Sequence, residues 1–187
     1  FHLKRMIMKN LIMILALLIV QHTNAQINKV NMQASGLTCS MCSKSINNAL
    51  KTLDFVEKVF ANIKTSGFEI NFKPGADVDF DLLKKKVEDA GFFVSKFVVT
   101  MRFNGQVVTN DEHVKSNGKT FLFLNVKSQQ LNGDKDITLL DKGFVQPKVY
   151  KKNAGLTKMA CYKSGVAESC CEKEGLVKGT RIFHVTI

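Results

Sequence analysis

The 187-residue sequence has no tryptophan, two prolines and two tyrosines, and its 16 acidic residues are outnumbered by 27 basic ones. With 45% apolar and 23% charged residues and so little proline, it is neither a disordered chain, nor a collagen-like repeat, nor a low-complexity tract. Five cysteines are too few for a disulfide-dense scaffold, and the odd number leaves at least one without a partner. No internal repeat or long linker divides the chain, and its length suits one large domain or two small ones, at roughly 100–200 residues each. No His/carboxylate cluster, Ser/His/Asp set or phosphate loop stands out, so an enzyme is not expected.

The longest apolar run, LIMILALLIV at residues 11–20, falls short of the roughly 20 residues that span a bilayer. Lys4, Arg5 and Lys9 precede it, and Thr23 and Ala25 occupy the −3 and −1 positions of a cut before Gln26. A basic segment, a short apolar segment and a small-residue cut describe a secretory signal peptide over residues 1–25. On this reading Met6 or Met8 starts the protein, and no cysteine follows the cut to make a lipoprotein. The expectation is a periplasmic or secreted protein with no stable membrane insertion after cleavage. Removing residues 1–25 takes three bases and no acid, leaving 24 against 16 and a charge of +8. Outside the cell that charge suits solubility and steering toward an acidic partner better than nucleic-acid binding. The cysteines would sit where disulfides persist.

Periodicity gives the element order. Val30, Met32 and Ala34 alternate as a strand, and Ile46, Ala49, Leu50 and Leu53 form one apolar stripe on a helix over 43–53. Strands follow over 55–63 and 67–72. A second helix, capped by Asp79 or Asp81, buries Phe80, Leu83, Val87 and Ala90 and stops at Gly91; a fourth strand covers 92–99. The sequence predicts an α+β chain: a ferredoxin-like βαββαβ domain at 26–98, then a small all-β barrel or sandwich at 99–187. In the second part Asn104-Gly105 reads as a hairpin turn between 100–103 and 106–109. Further strands are expected at 120–126, 137–140, 145–149 and 181–187, with turns at 116–118, 131–134 and 141–143. The boundary is soft, because one long strand could run through residues 96–100.

The chemistry-bearing motif is Gly36-Leu-Thr-Cys39-Ser-Met-Cys42, between the first strand and the first helix. A helix N-terminus presents unpaired N–H groups and the positive end of the macrodipole, which lowers a thiol's pKa. Two cysteines three apart can point both sulfurs at one ion. Such soft ligands favour Cu(I), with Hg(II) and Zn(II) as competitors. A two-ligand site leaves coordination open for exchange with another dithiol.

These residues resemble the heavy-metal-associated domain family of copper chaperones, metal-transporting ATPase modules and periplasmic mercury-binding proteins. Its Gly-Met-Thr-Cys-x-x-Cys is matched by Gly36 to Cys42, with Leu37 in place of methionine, and its later Gly-Tyr/Phe by Gly91-Phe92. The resemblance covers about 70 residues, at 29–97. It implies a βαββαβ fold, metal binding at Cys39 and Cys42, and Phe92 packed near the site. It also implies a metal-donor or metal-acceptor partner, such as a metal-transporting ATPase or an efflux component.

Two other readings of Cys39 and Cys42 stay open: a thiol–disulfide redox pair and a structural disulfide. The first lacks the aromatic and proline usual around such thiols, since the prolines are Pro74 and Pro147. An RNA-recognition motif would share the topology, but Gly67-Phe-Glu-Ile-Asn-Phe72 echoes its aromatic strand only in part. Downstream, a Cys161 bridge to Cys170 or Cys171 is favoured, and a second soft-metal site with Met159 or His184 is the alternative. His184 alternates with apolar neighbours as a strand-face residue; His113, in a polar stretch, signals nothing specific.

Overall fold

The computed structural model describes residues 26–37 and 39–187. Residues 1–25, on which the signal-peptide reading falls, lie outside them, as does Thr38. No helix among the described residues is long and apolar enough to cross a membrane.

Met32 and Ala34 on β1 (Ile27–Ser35), and Phe68, Ile70 and Phe72 on β3 (Gly67–Phe72), are buried at every second position. That alternation fixes which face each strand turns to the core, because a one-residue slip would expose the whole set. β2 (Val56–Asn62) pairs with β3, β3 with β1, and β1 with β4 (Phe93–Val108), all antiparallel. Onto this sheet α1 (Ser40–Lys51) lays Ile46 and Leu50, and α2 (Phe80–Asp89) lays Phe80, Leu83 and Val87. The Asp79 carboxylate accepts the Leu82 N–H at 2.9 Å, a cap worth about 1 kcal/mol. At the other end Gly91, at φ +87°, donates to the Glu88 carbonyl and Phe92 donates to that of Val87. These two bonds are the Schellman closure, and they require a left-handed residue between them. The βαββαβ order is therefore present. α1 begins three residues before the expected start because Cys39 itself caps it.

The second half does not close into the expected barrel or sandwich. Its strands β5 (His113–Ser116), β6 (Lys119–Phe123), β7 (Gln129–Leu139) and β8 (Ile182–Thr186) extend the same open sheet, in the order β2-β3-β1-β4-β7-β8-β6-β5. β4 continues through residue 108 and pairs along its length with β7. Asn104-Gly105 is not a hairpin turn. Gly105, at φ +73°, is an extra residue between the Asn104–Asn132 and Gln106–Leu131 pairs, a glycine β-bulge. Asn132-Gly133 likewise lies within β7 rather than in a turn. β8 inserts between β7, antiparallel, and β6, parallel, and β5 closes the edge.

Nor is this half all β. The strand expected at 145–149 is replaced by α3 (Pro147–Asn153), where Pro147 at the first turn needs no N–H partner. α4 (Cys161–Ser164) and α5 (Ser169–Glu172) follow. These helices cover the outer face of the added strands. β6 and β8 are consequently covered on both sides, and their burial runs without a break over residues 120–123 and 182–185 rather than alternating. Phe121, Phe123, Phe183 and Val185 join the main core with α2. Leu122, Leu124 and Ile182 face the other way, onto Cys161, Tyr162 and Cys171. Phe80 joins the two halves, with ring centroids 5.6 Å from Phe97 and 5.1 Å from Phe183. Arg181 adds a bidentate pair with Asp81, at 2.8 and 3.2 Å.

Candidate metal centre

Gly36, at φ +85°, turns the chain out of β1, and Cys39 ends the loop in extended backbone as the cap of α1. The Cys39 Sγ accepts the Cys42 N–H at 3.3 Å, and the two Sγ atoms face each other at 2.7 Å. Cys39 is exposed, Cys42 half-buried, and Met41 between them is 71% exposed. The first turn of α1 carries no acidic residue, so nothing there offsets its positive end. Hydrogen bonding with the Cys42 thiol and then the Cys42 backbone holds the Cys39 thiol below its ordinary pKa. The thiolate, the form that ligates soft metals, is favoured there. An ion about 2.3 Å from each sulfur holds the pair at most about 4.6 Å apart, so the thiols would separate by up to about 2 Å on binding. The exposed loop leaves room for that movement.

Behind the loop, Leu37 and Phe92 are partly buried against the core. A Cβ on Gly36 would stand 3.8 Å from the Phe92 ring, so the aromatic does back the loop as the resemblance implied.

The downstream cysteines are arranged differently from expectation. No disulfide forms among Cys161, Cys170 and Cys171. Cys161 and Cys171 are fully buried, and Cys170 is half-buried with its Sγ 3.6 Å from that of Cys171. Burial pushes the Cys161 and Cys171 thiols up. His184 is buried on β8, its Nε2 3.5 Å from the Cys161 Sγ and its Nδ1 2.9 Å from Asp141. His113, read from sequence as uninformative, belongs to the same cluster: a ring nitrogen of His113 and the sulfurs of Cys161 and Cys171 lie within 4.8 Å of one another. His113, Cys161, Cys171 and His184 are scattered over 72 positions without a spacing motif. A usable signal was histidine scarcity, since His113 and His184 are the only two beyond residue 25.

Residues 32–93 match the family model described as the heavy-metal-associated domain. A probable copper-exporting P-type ATPase of Archaeoglobus fulgidus is 39% identical over 62 residues, covering 33% of this chain and 8% of the relative. A probable copper-transporting ATPase, HMA5 of Arabidopsis thaliana, is 29% identical over 94 residues, 45% of this chain and 9% of the relative. The chain thus spans less than a tenth of the length of either curated relative. Among solved structures, the yeast copper transporter domain Ccc2a is 30% identical with a TM-score of 0.33, covering 36% of this chain and 90% of that one.

Proposed function

Residues 32–93 being a heavy-metal-associated domain, we propose that this chain binds Cu(I) through Cys39 and Cys42 and exchanges it with a partner dithiol. The observation that carries this reading is the pair of facing thiols on an exposed helix N-terminus. Two soft ligands satisfy Cu(I), and the open coordination lets an incoming thiolate attack before the outgoing one leaves. Solvent access supports transfer, which a closed four-ligand site would resist. Hg(II) and Zn(II) compete for the same sulfurs. The partner is a metal donor or acceptor, such as a metal-transporting ATPase or efflux component; the curated relatives are probable copper ATPases. The proposed setting is the periplasm or cell exterior, on the strength of residues 1–25. There the thiols have to be kept reduced or metallated.

The test is Cu(I) titration of the reduced full chain against a chromophoric Cu(I) chelator. One tightly held equivalent, lost in Cys39→Ser and in Cys42→Ser, is expected. Disulfide-reductase turnover without Cu(I) affinity would overturn the proposal in favour of a redox pair.

A further inference from the structure

We propose that His113, Cys161, Cys171 and His184 form a second metal site, separate from Cys39 and Cys42, that takes one Zn(II) as a closed structural centre. The placement follows from the sheet. His113 on β5 and His184 on β8 both lie opposite Leu122 of β6 in the strand register, so all three side chains share one face. Cys161 opens α4 and Cys171 lies in α5, the two short helices covering that face. The His113 side chain is 3% exposed, and His184, Cys161 and Cys171 are fully buried.

Each histidine is oriented by a carboxylate. The Nδ1 of His113 lies 2.7 Å from Glu174, and that of His184 lies 2.9 Å from Asp141. Asp141 is itself held by the His184 backbone N–H at 2.8 Å and by Arg181 at 3.3 Å. A carboxylate on one imidazole nitrogen fixes the tautomer and directs the other nitrogen at a metal. The Nε2 of His113 is buried with no hydrogen-bond partner among the described residues. Leaving such an atom buried and unpaired carries a desolvation cost that coordination would remove.

The donor set selects the ion. Two thiolates and two imidazoles make a tetrahedral N2S2 set, characteristic of Zn(II), whereas Cu(I) is served by the two thiolates of the exposed loop. With bonds of about 2.3 Å to sulfur and 2.0–2.1 Å to nitrogen, a tetrahedral N···S edge is about 3.6 Å. The His184–Cys161 separation of 3.5 Å already matches; the His113 nitrogen and the two sulfurs, which lie within 4.8 Å of one another, close in by about 1 Å, and the His184 ring moves in with Cys161. Zn(II) displaces one proton from each thiol to solvent, so its two positive charges are balanced by two thiolates. Cys161, His184 and Asp141 also line up as a nucleophile, base and orienting acid would, but the sulfur is sealed from solvent and no acyl group can reach it.

The experiment uses the full chain carrying Cys39→Ser and Cys42→Ser, so that failure of the copper proposal cannot be mistaken for failure of this one. In that background, the reduced metal-free protein is expected to bind one Zn(II) in competition with a chromophoric chelator. Co(II) substituted for Zn(II) is expected to give the strong visible bands of a tetrahedral ion and thiolate charge transfer. Cys161→Ser should abolish both signals. Glu174→Gln should retain them with affinity lowered about 10–100-fold. His113→Cys should keep metal and raise the charge-transfer intensity by a third thiolate, which a merely structural histidine would not do. No bound equivalent in the double-serine background, an unchanged Co(II) spectrum in His113→Cys, or a Cys161–Cys171 disulfide persisting under reductant would overturn the proposal.

Discussion

Phe80 is where the two halves of the sheet become one object, and its truncation tests that claim. The side chain is fully buried between the Phe97 and Phe183 rings, with the Lys119 ammonium 5.6 Å from its centroid. Phe→Ala in a closed core costs about 3–5 kcal/mol in lost transfer energy and cavity. Each edge-on aromatic pair is worth about 0.5–1.5 kcal/mol beyond area, which favours the upper part of that range. Taking about 4 kcal/mol and a urea slope near 2 kcal/mol/M, the midpoint should fall by about 2 M. The chain supplies two separable probes, because it lacks tryptophan and carries both tyrosines in the second half. Tyr150 and Tyr162 stack at 5.0 Å, so their fluorescence and near-UV dichroism report the added strands and helices alone. The far-UV helix signal is weighted toward α1 and α2. Phe80→Ala should move both transitions together and by the same amount. A helix transition that shifts while the tyrosine transition stays put would refute a shared core and leave two independently melting units.

Three further outcomes follow from the same contacts. Arg181→Ala takes one partner from the buried Asp141 and the paired cation from the half-buried Asp81, and should destabilise the chain by about 1–3 kcal/mol in urea melts, the cost of leaving a buried acceptor short of a partner. Gly91→Ala forces an L side chain to φ +87° at the closure of α2; with open space around it, only backbone strain opposes the change, and thermal melts should show a loss of about 1 kcal/mol. In the metal-free reduced protein, Cys39 should alkylate at lower pH than an ordinary thiol, because its folded-state pKa is lowered. Unfolding should move that profile upward, while Cys161 and Cys171 should react only once the chain unfolds; mass spectrometry of the modified peptides reads both.

Sequence was most informative where each element has one wet face. On β3 the burial of Phe68, Ile70 and Phe72 follows strict alternation, and Asp79 and Gly91 mark the ends of α2 by backbone chemistry that any helix terminus shares. The Cys39–Cys42 pair was legible because both ligands come from one turn. Misreadings gathered where distant segments decide the outcome. Asn-Gly at 104–105 suits a tight turn and a glycine bulge equally, and only the partner strand β7 selects the bulge. Leu122 and Leu124 face away from Phe121 and Phe123 onto a second apolar layer, and period-two reasoning has no way to place that layer. His113 looked idle because the groups around it lie about 50 to 70 residues downstream.

β8 has a consequence for how the chain is made. It sits inside the sheet, between strands completed roughly 45 and 60 residues before it. During synthesis β1 to β4 of the ferredoxin-like unit emerge first and can pair with near neighbours, while the β5–β6 pair and the β4–β7 pair must wait for residues 182–186 to join them. Ordering of the second half is therefore a late, long-range event, and it brings His184 to Cys161 at the same step. A ribosome-bound intermediate would expose the Phe121–Leu124 run on both faces. That apolar strand, awaiting the one that will cover its edge, is the segment a chaperone would be expected to hold.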